Sequence, residues 1–263
     1  MSSRVAQKTA AREARLAAEA RTRRQLERQR RSWRLIGVVL ASVALVTLAV
    51  IVSGGNGQSR SAATGGQVQG AALSNALFAG IPQRGTVIGR PDAPVRLVEF
   101  ADLQCPYCDE YAVHVLPALV QDYVRTGRVQ MRFENLAFIG PDSVRAGRVA
   151  AAAAQQNRLW NFVDLLYLNQ GQENTGYITG SYLRRLLEAI PGLDVPTALS
   201  ASRTAAAGAA LTLANQVAAQ DGVSGTPTFL IGKTSGPLHQ YQPSSLTPAP
   251  FIAAINHALA GAG

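Results

Sequence analysis

Residues 95–108 read VRLVEFADLQCPYC. The first six form a nearly continuous apolar run with β-branched side chains, as expected of a strand buried in the centre of a sheet. Cys105 and Cys108 follow at once; they are the chain's only 2 cysteines. Next, residues 106–126 (PYCDEYAVHVLPALVQDYVRT) carry apolar side chains at helical spacing, with Arg125 and then Gly127 as a stop signal. Pro117 predicts a kink inside that helix. Residues 129–133 (VQMRF) alternate apolar and polar side chains, which suits a second strand. The order strand, loop, helix, strand fits a crossover between parallel neighbours, and the cysteines fall where the strand ends and the helix begins.

Three chemistries use two cysteines at this spacing. A structural disulfide would close so small a loop that it hardly constrains the unfolded chain. A zinc site would take His114 as a third ligand and need a fourth from His239 or His257, without a second paired-ligand motif. A redox dithiol fits the placement best. Amides converging at the helix start would stabilise a thiolate at Cys105 and lower its pKa, which makes Cys105 the nucleophile. Cys108, one turn further in, would be the resolving thiol. Pro106 suits the first helical turn, where its missing N–H has no partner to lose.

Outward from this centre the chain divides by composition. Of the formal net charge of +9, nearly all lies before Leu35, where arginines and Lys8 far outnumber Glu13, Glu19 and Glu27. The remainder is close to neutral, which argues against a nucleic-acid groove. Leu35 to Val52 (LIGVVLASVALVTLAVIV) carries no charge, and its 18 residues span about 27 Å as a helix, close to a hydrocarbon core. Arginines on its N-terminal side predict a cytoplasmic basic arm (1–34), a single transmembrane helix (35–52) and an exported remainder. The alternative, a cleaved signal peptide, fits poorly with so long a basic region. Residues 53–80 are expected to be a flexible linker and 81–263 the folded domain. Within it, stretches of helical character from about 138 to 220 predict an insertion of three to five helices. Residues 226–232 (TPTFLIG) form a strand opened by proline, and residues 248–260 (PAPFIAAINHALA) a closing helix.

EFADLQCPYC (99–108), followed far downstream by GVSGTPTFLIG (222–232), resembles the thioredoxin-like proteins related to the disulfide-forming oxidase DsbA. The resemblance runs from about Gly85 to the C-terminus. It implies an α/β, thioredoxin-like fold with an inserted helical domain, here preceded by one transmembrane helix. It also implies that Cys105 is the nucleophile, Cys108 the resolving thiol, Pro227 a cis-proline facing them, and Thr226 a residue presenting loop backbone to an extended substrate. Pro106 and Tyr107 would complete the substrate site. Glu99 resembles the family's buried acid, which passes a proton to or from the resolving thiol; the alternative is a strand-end carboxylate in water or paired with Arg96. Asp102, Asp109 and Glu110 are expected to supply charge near the helix start. Trp160 and Tyr167 are expected in the core rather than at a quinone site. Strongly oxidising relatives carry histidine where this chain has Tyr107, which weakens the expectation of a strong oxidant.

The expected function is thiol-disulfide exchange on exported proteins, with no cofactor beyond the Cys105–Cys108 disulfide and a membrane redox partner to regenerate it. A reductase or isomerase kept reduced from across the membrane is the alternative. A tethered chaperone-like module with an inert disulfide is a third reading.

Overall fold

The computed structural model describes residues 68–261. The arm 1–34, the span Leu35–Val52 and the linker up to residue 67 lie outside the described residues. Among the described residues no helix is long and apolar enough to cross a membrane.

A six-stranded sheet carries the fold, in the order β1 (Gln83–Arg84), β2 (Val87–Ile88), β4 (Val129–Asn135), β3 (Val95–Ala101), β5 (Thr228–Lys233), β6 (Leu238–Tyr241). The apolar run that opens the motif is therefore internal: β3 pairs parallel with β4 and antiparallel with β5. Alternation of side chains splits β3 between two layers. Val95, Leu97 and Ala101 join the larger core with Met131, Phe133 and Phe229, beneath α2 (Pro106–His114) and α9 (Pro248–Ala260). Val98 and Phe100 face the other way, onto Ala214 and Ala218 of α8 (Ala205–Gln220). Because both layers are covered, Gln130 is buried, and its amide donates to the Pro91 carbonyl at 3.2 Å. The polar positions of β4 thus do not mark a wet face. β6, which pairs with β5 as a hairpin, lies between the proline-led strand and the closing helix, where the sequence pattern predicts no element.

The long helix expected over 106–126 is broken. It ends at His114, restarts as α3 (Leu116–Leu119) and passes into a π-helical turn at Val120–Val124. Pro117 explains the break, since it has no N–H to give the preceding turn and its ring crowds the carbonyl four residues back. Gly127 then turns the chain at φ +75°, where a Cβ would come within 2.5 Å of Arg90 Cδ.

Five helices form the insertion: α4 (Pro141–Gln155), α5 (Leu159–Leu168), α6 (Gly180–Glu188), α7 (Val195–Ala201) and α8. Trp160 and Tyr167 are both buried in its contact with the sheet, as core residues. Arg148 ties α4 to the α7–α8 junction by donating to the carbonyls of Ser202 and Thr204 at 2.9 and 2.7 Å.

One boundary needs correction. The linker expected over 53–80 includes α1 (Ala71–Phe78), which buries Ser74, Leu77 and Phe78 and packs on α5. Arg125 secures it by donating to the carbonyls of Ala79 and Leu77 at 3.0 and 2.7 Å. The small side chains of AALSNALF looked like tether sequence; the long-range partners Arg125 and α5 give them a fixed place.

Candidate active site

β3 ends at Ala101, and residues 102–105 carry the chain from the sheet to the first turn of α2. Cys105 is the N-cap of that helix and Pro106 its first residue. The loop is held from beneath by Asp102, which is fully buried. Its Oδ1 accepts from the Gln104 N–H at 2.8 Å and from the Ser143 hydroxyl, while Oδ2 accepts from the N–H groups of Phe138 and Ile139, both at 2.9 Å. Gln170 adds a clamp by donating to the carbonyls of Leu103 and Cys105 at 3.2 and 3.3 Å. Sequence reasoning gave Asp102 only a general charge role and passed over Gln104, Ser143 and Gln170. The one local signal was an aspartate two residues before a loop amide it could accept from.

Both cysteines are free thiols. Cys105 is 4% exposed and Cys108 wholly buried, while the intervening Tyr107 is 62% exposed and marks the solvent side of the motif. The Thr226–Pro227 peptide is cis and lies against the pair, with the Cys105 thiol donating to the Thr226 carbonyl at 3.6 Å. Hydrogen bonding from Cys108 is the largest influence holding Cys105 down at about 6, with help from the Thr226 side chain and the amides of Cys108 and Tyr107 against the opposing effect of burial. Cys108 moves the opposite way. Burial pushes its thiol well above the ordinary range, followed by its hydrogen bond to Cys105 and the charges of Cys105 and Glu99. One turn of helix therefore holds a thiol that ionises easily beside one that keeps its proton.

Glu99 is 2% exposed, opposite Phe133 and Phe229 in the register of β3 with its neighbours. Burial, and then the charge of Cys105, raise its carboxyl to about 8, so it holds a proton at neutral pH. Arg96 does not pair with it. Three residues apart on a strand, the two point to opposite faces, and Arg96 donates instead to Gln130 at 3.4 Å. His114 is exposed in the last turn of α2, and His239 and His257 are exposed on β6 and α9. Among the described residues no group of three His, Cys, Asp or Glu side chains is placed to hold a metal ion.

The sequence pattern of the family described as Thioredoxin matches residues 83–242. A probable disulfide bond formation protein D from Bacillus cereus is 38% identical over 124 residues, which cover 46% of this chain and 56% of that protein. The chain thus spans about half the length of the curated relatives it matches. Crystal structures of other proteins share the fold. BdbD from Bacillus subtilis, in its oxidised form, superposes with a TM-score of 0.59 at 20% identity, covering 69% of this chain and 98% of its own. Wolbachia pipientis α-DsbA1 gives 0.58 at 17%, covering 72% and 97%. With a strand-to-helix dithiol, a cis-proline loop beside it and a family match across the whole sheet and the whole insertion, the chain belongs to the thioredoxin family.

Proposed function

We propose that the chain is a thiol-disulfide oxidoreductase that oxidises the thiols of exported proteins. The observation that carries this reading is the opposite displacement of the two thiols within one helical turn. In the oxidised protein a substrate thiolate attacks the Cys105 sulfur. The S–S bond breaks, Cys108 leaves with the bonding pair, and Glu99 gives it a proton. A second substrate thiolate then attacks the substrate sulfur of the mixed disulfide and expels Cys105 as a stable thiolate. The substrate leaves as a disulfide, and the pair holds its two electrons until a membrane redox partner removes them. No further cofactor enters this cycle. The name of the Bacillus relative supports the same direction.

The experiment that tests it is equilibration with a glutathione buffer followed by thiol trapping. Cys105 near 6 lies between the thiol of thioredoxin, about 7, and that of DsbA, about 3.5. The potential should accordingly fall between about −270 mV and about −120 mV, the values for those two proteins. A potential at or below −270 mV, with the pair mostly reduced in cells, would overturn the oxidant and establish the second reading, a reductase or isomerase. The specific observation favouring that second reading is Tyr107, exposed where strong oxidants carry an imidazole.

The reading also puts the catalytic domain outside the cell, supported by the uncharged span Leu35–Val52 behind its arginine-rich arm. Protease added to intact spheroplasts should degrade residues 68–261 and spare the arm. A soluble, N-terminally trimmed product recovered from undisturbed cells would contradict the uncleaved anchor.

A further inference from the structure

Glu99 and Tyr111 each have a buried oxygen, Oε1 of the carboxyl and the phenol oxygen, with no hydrogen-bond partner among the described residues. Both side chains neighbour Phe229, and no hydrogen bond joins them. Tyr111 follows Cys108 by one turn on the buried face of α2. Its ring packs on Phe229 with centroids 4.7 Å apart, and Phe229 is the residue directly opposite Glu99 in the pairing of β3 with β5. Burial, and then the negative charge of Glu99, drive the Tyr111 phenol well above its ordinary range. The other titratable groups within electrostatic reach are Cys105 and Cys108 on α2, Tyr167 on α5 and Asp102 in the loop. Strands β4 and β5 and helix α9 contribute Phe133, Phe229 and Phe251. Tyr167 is already committed, since its hydroxyl donates to the Asp102 carbonyl at 3.1 Å. Tyr111 is therefore the buried hydroxyl left uncommitted in this region.

We propose that Tyr111 is a positioning residue for Glu99: its hydroxyl, unbonded while the acid is neutral, turns to donate to the carboxylate that remains once the proton has gone. The proposal rests on reading Cys105 and Cys108 as a redox dithiol. As the substrate thiolate bonds to the Cys105 sulfur and Cys108 departs with the electron pair, the Glu99 proton moves to Cys108. A negative charge is then left in an apolar pocket. A hydrogen bond to that charge is stronger than one to the neutral acid, so the Tyr111 hydroxyl favours the transfer while keeping its own proton.

The test is rapid mixing of the oxidised full-length protein, in detergent micelles, with a reduced dithiol peptide, followed by acid trapping of the mixed disulfide from pH 5 to 9. Tyr111→Phe should slow its formation by about tenfold and move the descending limb of the pH profile, which deprotonation of Glu99 sets, to higher pH. In a Glu99→Gln background the same change should have no further effect. An unchanged profile, or equal slowing in both backgrounds, would overturn the proposal and leave Tyr111 a packing residue. Should Tyr111→Phe not fold, carbon-13 titration of the wild-type protein decides: the Glu99 carboxyl and the Tyr111 phenol carbon should shift with one midpoint, and independence of the two signals sinks the idea. If the wild-type protein traps no peptide at all, the redox reading fails, while the carbon-13 titration still reports whether Tyr111 serves Glu99.

Discussion

Cys105→Ser is expected to reduce oxidation of a dithiol peptide to the uncatalysed background, while Cys108→Ser accumulates mixed disulfides with exported proteins. The asymmetry follows from the two thiols' environments. With Cys105 near 6, its thiolate fraction at pH 7 is about a hundredfold that of a thiol ionising near 9. Lower basicity takes back roughly twentyfold of the reactivity, because nucleophilicity falls with pKa, so a net advantage of about fivefold remains. Cys108 is shut out on both counts, being buried and shifted to hold its proton. Alkylation of the reduced protein should therefore modify Cys105 first, with a rate that declines below a midpoint near pH 6. Mass spectrometry of the alkylated peptide and of trapped partners reads both results. Equal trapping by the two serine variants, or first labelling of Cys108, would reverse the roles. Retained holding of unfolded chains by a variant lacking both cysteines would instead favour a tethered binding module.

Asp102→Ala should destabilise the protein by about 3–5 kcal/mol, the cost of stranding several buried donors at once. The carboxylate serves Gln104, Phe138, Ile139 and Ser143 together, and alanine strands the amides of Gln104 and Ile139 and the Ser143 hydroxyl, while the Phe138 amide keeps only the Leu136 carbonyl at 3.2 Å. Asp102→Asn keeps one acceptor oxygen and should cost roughly half as much. Urea unfolding of the oxidised protein measures both. A loss under about 1 kcal/mol for alanine would mean that other groups hold the loop.

The difference between what the sequence disclosed and what it concealed is one of range. The β3 strand, the dithiol at the start of α2 and the helical character of the insertion are written in local pattern, and the structure places them where that pattern puts them. Glu99 could be located on β3, but its burial depends on β4, β5 and α2 closing around it, so composition alone left water or Arg96 open. Asp102 was harder still. Its partners Phe138, Ile139 and Ser143 come from beyond β4, and nothing in residues 99–105 distinguishes an aspartate that gathers distant amides from one that decorates a turn. The same holds for α1, whose helix is short and whose buried residues gain their meaning from α5 and Arg125. β6 was missed because a four-residue hairpin strand is too brief to show a period.

The Asp102 knot also bears on how the molecule opens. One carboxylate joins the redox loop to the entrance of the insertion, so the amides of Gln104, Phe138 and Ile139 share an acceptor even though they are far apart in sequence. Groups that share a buried acceptor exchange their hydrogens in a common opening event rather than one by one. The dithiol loop and the entrance to α4 are thereby expected to open together, so a fluctuation that loosens residues 138–143 loosens the redox centre with it.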